Sequence, residues 1–148
     1  MKHFFTLMII LMFSNLTFSQ VEVEVEIENH VNEFFEALNA KDEKKLADFF
    51  TPEANLKSVL VQNENERIIN EAIEDFFTSI ASLTNEVEIR EEFSDIHIQV
   101  DEYMAFASTN YRFFVNGNFS HKGVNYFTFV KVNEKWKIIS ITDTRIYE

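Results

Sequence analysis

From Val87 onward the apolar residues of this chain recur at every second position, in four long runs at about Val87 to Val100, Tyr103 to Val115, His121 to Val132 and Trp136 to Ile146. Only short, turn-like joints separate them: Asp101-Glu102, Asn116-Gly117-Asn118 and Asn133-Glu134. Joints this short make neighbouring strands antiparallel, which predicts a meander of four long strands. Such a sheet must cover one face with other elements, and the first half of the chain has to supply them. Polar residues interrupt the runs at Tyr111, His121, Asn125, Asp143 and Arg145. A sheet that turns polar side chains toward its covered face usually lines a pocket, so these five are the candidate ligand-binding residues.

In the first half the period is helical. Ile27, Val31, Phe34, Phe35 and Leu38 stand at i, i+4, i+7, i+8 and i+11, the stripe of an amphipathic helix with one buried face. Asp42 fits the N-cap of a short second helix carrying Leu46, Phe49 and Phe50, and Thr51-Pro52 ends it because the residue before proline disfavours helix. A strand at about Asn55 to Gln62 and the polar turn Asn63-Glu64-Asn65 follow. The stripe Ile69, Ala72, Ile73, Phe76, Phe77 and Ile80 predicts a third helix ending near Leu83. Val21 to Glu28 alternates perfectly and reads as a strand or, beside a fresh N-terminus, as a solvated tail leading into the first helix.

Met1 to Ser19 carries Lys2, an apolar stretch from Phe4 to Phe13 and then Thr17-Phe18-Ser19, the layout of a secretory signal peptide. Its apolar stretch of about ten residues is too short for a bilayer that needs roughly 20. The expectation is an exported protein, periplasmic or secreted, with one domain over residues 20–148 and no membrane contact after signal cleavage. The chain has no cysteine, so neither a disulfide nor a lipid-modified N-terminal cysteine is available and packing alone must hold the domain. A formal net charge of -12 repels phosphate backbones and anionic headgroups, so nucleic acid is not an expected partner. Phenylalanines pair at Phe34-Phe35, Phe49-Phe50, Phe76-Phe77 and Phe113-Phe114. Packed rings leave irregular gaps, so such a core can hold a cavity, although dense packing explains the same composition.

The order helix, helix, strand, helix and four meandering strands resembles the nuclear transport factor 2-like superfamily, which includes SnoaL-like cyclases and ketosteroid isomerases. Three segments look like an exported bacterial branch described as SnoaL-like or putative lumazine-binding: Val31-Asn32-Glu33-Phe34-Phe35-Glu36-Ala37, Phe119-Ser120-His121-Lys122-Gly123-Val124-Asn125, and Trp136-Lys137-Ile138-Ile139 leading to Asp143-Thr144-Arg145. The resemblance implies an α+β, cone-shaped fold, with three N-terminal helices packed on a curved, mainly antiparallel meander sheet. It also implies a cavity at the wide end of the cone and a homodimer through the outer sheet face. Enzymes of the superfamily place an Asp, Tyr or His inside the cone; His121, Asp143 and Tyr111 are the residues of those types here, without a residue-by-residue match to an enzyme's set.

Strand register sorts the candidates. If Asn133-Glu134 is a two-residue turn, alternation puts His121 and Asn125 on one face and Asp143 and Arg145 on the other, unless a bulge shifts one strand. At Asn116-Gly117 a two-residue turn sets Ser108 and Arg112 beside Asn125 and His121, whereas a three-residue loop, the favoured reading, brings Thr109 and Tyr111 there. Asn supplies a donor and an acceptor, His changes charge near neutrality and Tyr donates without titrating, so this group could orient a carbonyl-bearing ligand. The blander alternative is that the three satisfy one another, and that Asp143 and Arg145 form an ion pair.

No metal or cofactor is expected. His30, His97 and His121 lack paired-histidine spacing, although Asp95-Ile96-His97 sets ligand types two apart, and no serine stands in a nucleophile elbow. The leading expectation is a binding protein for a small, mostly apolar or aromatic molecule. The alternatives are a small isomerase, cyclase or dehydratase using His121 or Asp143 as acid or base with Tyr111 or Asn125 stabilising an oxyanion, and an interaction domain with no ligand.

Overall fold

The computed structural model describes the backbone of residues 2–147 and the side chains of residues 20–147, so the segment read as a signal peptide lies outside the residues whose side chains are described. Helix α1 (Lys2–Asn39) buries the expected stripe, with Ile27, Val31, Phe34, Phe35 and Leu38 all inside. Val21 to Glu28 is neither strand nor solvated tail. It is helical, because half-buried Val23 and buried Ile27 extend the stripe by one turn while Val21 and Val25 stay exposed.

The end of α1 is closed without glycine. Lys41, at φ 55, takes the left-handed conformation; its N–H bonds Leu38 O at 3.0 Å and that of Asp42 bonds Ala37 O at 2.9 Å. The Lys41 ammonium then donates to Thr84 O at 2.9 Å and Val87 O at 2.8 Å, tying this end to the segment before the third strand. Asp42 caps α2 (Glu43–Ala47) as predicted, accepting from Lys45 N at 3.0 Å.

Two expected boundaries move. Strand β1 (Phe50–Gln62) begins at Phe50, so Thr51-Pro52 lies in a strand and not at a helix end. Proline is accommodated because the β1 ladder is broken between Phe50 and Asn55, where no N–H is called for. The turn at Asn63-Glu64 has φ of 51 and 61, the conformation of a tight hairpin, and leads into an unforeseen strand β2 (Asn65–Ala72). Helix α3 (Ile73–Ser82) therefore starts four residues later than Ile69, and it follows two strands, so the helices are not all N-terminal to the sheet.

The remaining strands match the sequence pattern: β3 (Ile89–Val100), β4 (Met104–Val115), β5 (Asn118–Val132) and β6 (Lys135–Ile146). The six-stranded sheet runs β2-β1-β6-β5-β4-β3, antiparallel throughout except for the parallel pair β1 and β6. Register slips by one residue at three places, near Asp95 in β3, Ser120 in β5 and Ile139 in β6. Each bulge bends its strand and reverses which face the following side chains take.

The core forms where α1 crosses the covered face. Phe35 stacks on Phe93 with ring centres 4.4 Å apart, and Phe34 meets Phe127 edge-on at 5.4 Å. Phe50 bridges from there to Phe76 and Phe77 of α3.

Candidate functional site

Beside this aromatic core the packing is not dense. A cavity of about 470 Å³ opens between α1, α3 and the covered face of the sheet, within the usual size range of small-molecule sites. Its walls include Phe34, Leu38, Phe76, Ile80, Leu83, Ile89, Phe113 and Ile141. All five sequence candidates, Tyr111, His121, Asn125, Asp143 and Arg145, line the same cavity, together with Glu71 and Glu91, which were not anticipated.

The bulges bring the candidates together. After the slip at Ile139, Asn125 pairs with Asp143 and Phe127 with Ile141, so Asp143 and Arg145 join His121 and Asn125 on the covered face instead of forming a second group. The β4–β5 turn corrects the favoured three-residue loop: Asn116-Gly117 is a two-residue turn, with Val115 opposite Asn118. The bulge at Ser120 then yields the shifted register anyway, setting Thr109 opposite Asn125, Phe113 opposite His121 and Tyr111 opposite Gly123.

Gly123 explains how Tyr111 crosses a strand. A Cβ at this position would lie 1.7 Å from Thr144 O, so β6 approaches closer than any side chain allows. Over this gap the Tyr111 hydroxyl donates to Thr144 O at 2.8 Å and lies 3.3 Å from Asp143 Oδ2. Asp143 also accepts from Ser58 Oγ at 2.5 Å and from Arg145 Nε at 2.9 Å. The ion-pair alternative is thus realised for Asp143 and Arg145, within a larger network. Burial, followed by the carboxylates of Asp143 and Glu91, raises the Tyr111 pKa, so this phenol stays a donor.

A second centre lies at Glu91. Asn39, in the last turn of α1, grips the strand backbone there, its Oδ1 accepting from Glu91 N at 2.7 Å and its Nδ2 donating to Glu91 O at 3.0 Å. The Glu91 carboxylate accepts from Asn125 Nδ2 at 2.7 Å. Burial pushes Glu91 up to about 7, with the Asn125 hydrogen bond opposing and Asp143 adding to the rise. Glu71 is also raised, by burial first and with Arg145 opposing.

His121 lies between the two centres. Its ring is 5.0 Å from Phe113, 5.0 Å from Tyr147 and 5.7 Å from Tyr111, and Nδ1 lies 3.0 Å from Ser120 Oγ. Burial and then the Arg145 guanidinium lower its pKa to about 4, against the pull of Asp143, so the imidazole is neutral at ordinary pH. The alternative in which His121, Asn125 and Tyr111 satisfy one another is not realised: Tyr111 donates to Thr144 O, and Asn125 to Glu91. The signal for Glu91 in the sequence is its place between inward Ile89 and Phe93 on a strand of period two. Among the described residues no cluster of His, Cys, Asp and Glu is arranged to hold a metal ion, and no helix is long and apolar enough to cross a membrane.

A family model described as Putative lumazine-binding matches residues 22–142, nearly the whole of the region described above. The chain belongs to that family. The solved structures it resembles have the nuclear transport factor 2-like fold. Against a nuclear transport factor 2-like protein of Cytophaga hutchinsonii the TM-score is 0.67 at 14% identity, covering 83% of this chain and 98% of that one. Against a protein named putative scytalone dehydratase from Novosphingobium aromaticivorans it is 0.64 at 16% identity, covering 86% and 87%. A Mycobacterium tuberculosis protein of unknown function gives 0.68 at 13% identity, covering 88% and 75%. At these identities the likeness concerns the fold alone. A comparison with curated proteins gives no match. Among members of the Putative lumazine-binding family, this chain thus offers an α+β scaffold with a mostly antiparallel six-stranded sheet and a polar-ended cavity.

Proposed function

We propose that this is an exported small-molecule-binding protein that holds one mostly apolar ligand in a cone-shaped pocket and works as a homodimer through the outer sheet face. The observation that carries the reading is the cavity of about 470 Å³, apolar along its walls with polar side chains converging at one end. Export rests on the layout of residues 1–19 alone, and dimerisation on the exposed Phe106 and Tyr126 of the outer face, apolar surface that a partner would cover.

Native mass spectrometry of the chain expressed from Met1 in an exporting bacterial host tests all three parts, export being read from the mass of a species cut near residue 20. A homodimer retaining a small molecule is the expected species, and a panel of pterins, flavins, apolar acids and amines should then raise the melting temperature. Pterins lead the panel because the family description names lumazine. An empty protein that gains no thermal stability from any of them would replace this reading with the interaction domain.

One observation favours a second reading, a cofactor-independent isomerase or dehydratase. Burial pushes the Glu91 carboxyl up to about 7 inside the cavity, the range of a general base, whereas Asp143 is held by Ser58 and Arg145. Under that reading Glu91, not His121 or Asp143, removes the proton. Turnover of a bound carbonyl compound that disappears in Glu91→Gln would establish it.

A further inference from the structure

The hydrogen-bonding capacity at the polar end of the cavity is lopsided. Most of its neutral donors already serve the protein: Ser58 Oγ donates to Asp143, Tyr111 Oη to Thr144 O and one Asn125 Nδ2 hydrogen to Glu91, which leaves the second Asn125 N–H and one His121 ring nitrogen. Arg145 gives Nε to Asp143, leaving its terminal N–H groups as the remaining charged donor. Acceptors are in excess. Glu91 receives one hydrogen bond on two oxygens, and Asn125 Oδ1 and the Glu71 carboxylate receive none among the described residues.

Charge points the same way. Three carboxyl groups, Glu71, Glu91 and Asp143, face one guanidinium, Arg145, and buried His121 adds no charge. The nearby walls include the rings of Phe34, Phe76 and Phe113, and aromatic faces attract cations and repel anions. A carboxylate entering here would find few donors against several like charges, and like-charge juxtaposition in a desolvated site is costly.

We infer that the pocket selects a ligand with an apolar or aromatic body and a cationic, hydrogen-bond-donating head, a protonated amine, seated between Glu91 and Glu71. This rests on the pocket reading above and specifies the ligand class for it. Binding such a cation favours the ionised form of Glu91, so uptake near neutral pH expels a proton. Asn125 from β5, Asp143 and Arg145 from β6 and Tyr111 from β4 act on Glu91 directly, and His121 from β5 and Glu71 from β2 line the same cavity. Of the ionisable ones, only Glu71 is expected to follow Glu91 in responding to the ligand.

The test is calorimetric titration of the protein with three probes sharing one body: naphthylmethylamine, naphthylmethanol and naphthylacetate. The amine should bind at least about tenfold more tightly than the carboxylate, with the alcohol between them. At pH 7 the amine's heat should depend on the buffer's ionisation enthalpy in the sense of proton release. Glu91→Gln, which keeps an acceptor for Asn125, should remove most of that release, leaving only the part from Glu71, and shrink the preference for the amine over the alcohol. If the carboxylate binds as tightly as the amine, or the three bind alike, the inference falls while the pocket reading stands. If none of the three binds up to millimolar concentration, the pocket reading falls with it.

Discussion

Replacing Glu91 by Gln removes a buried carboxyl group titrating at about 7 while keeping an oxygen for Asn125 Nδ2, and the effect on stability has a sign that follows from linkage. Between its ordinary value of 4.5 and about 7, folded Glu91 holds a proton that the unfolded chain has released. Its contribution is therefore fully present below about pH 4.5 and is lost as pH rises through about 7. For His121 the direction is opposite. Folding lowers its pKa from 6.5 to about 4, so its contribution is present above about pH 6.5 and is lost as pH falls through about 4. Each displacement corresponds to about 3 kcal/mol for a fully desolvated group, and about 2 kcal/mol for Glu91, whose carboxyl is buried while the rest of the side chain keeps some contact with water. In the wild type the two slopes largely cancel across the mildly acidic range. Urea unfolding followed by Trp136, the only tryptophan, at several pH values between 4 and 8 separates them. Glu91→Gln should steepen the loss of stability on acidification and leave the variant about 2 kcal/mol more stable than wild type at pH 8. His121→Gln should reverse the slope, so that stability falls from pH 4.5 to 7. Glu71 titrates in the sense of Glu91, but it is present in every variant and drops out of the differences. Parallel curves for wild type and Glu91→Gln would refute the assignment of Glu91 as a buried, proton-exchanging group.

Other perturbations address the rest of the site. Gly123→Ala forces a methyl group against Thr144 O and should cost about 3 kcal/mol in urea unfolding, with loss of ligand-induced stabilisation as β5 and β6 separate. Tyr111→Phe removes one hydroxyl and should cost only about 1 kcal/mol, and the double variant should fall short of the sum because both act on the same contact with Thr144. Asp143→Ala leaves Ser58 and Arg145 without their acceptor, with Tyr111 keeping Thr144 O, and should cost about 3 kcal/mol, while Asp143→Ala with Arg145→Met should recover part of that by removing the unpaired charge. Asn39→Ala should cost about 1 kcal/mol and raise hydrogen exchange at the Glu91 amide, since both hydrogen bonds holding that residue on edge strand β3 are lost.

What could be read from the residues alone divides along physical lines. The α1 stripe and the four long strands were legible because each has one buried face, which imposes a period that side-chain chemistry reports directly. Strand β2 was not, because it buries almost nothing: Ile68 is 65% exposed, and Ile69 and Ala72 extended the α3 stripe as well as they fit a strand. The available signal was the dipeptide Asn63-Glu64, the same pair that closes the β5–β6 hairpin at Asn133-Glu134 with nearly the same positive φ values. At Asn133-Glu134 apolar alternation on both sides marks a hairpin, whereas at Asn63-Glu64 alternation is missing on one side, so the pair reads as a polar turn without the second strand.

The site depended on a quantity that residue types do not encode, the parity of each strand relative to its neighbour. Tyr111, His121, Asn125, Asp143 and Arg145 are the right residues, yet an unbroken ladder would scatter them over both faces. Ser120 and Ile139 each add one residue to a strand, and the two insertions act on opposite sides of Asn125. The first sets Thr109 and Phe113 opposite Asn125 and His121, and the second turns Asp143 and Arg145 inward while leaving Trp136 and Ile138 in the core. Neither residue has a side chain that demands a bulge. Burial supplies the demand: with regular pairing, inward Trp136 and Ile138 would require Ile141 to face solvent and Thr142 to enter the core. The bulge at Ile139 removes that conflict, and the same one-residue slip that rescues Ile141 delivers Asp143 to the Tyr111 hydroxyl. The polar network is in this sense a by-product of apolar packing, which is why the hydrophobic pattern of β6, read past the slip, would have located it.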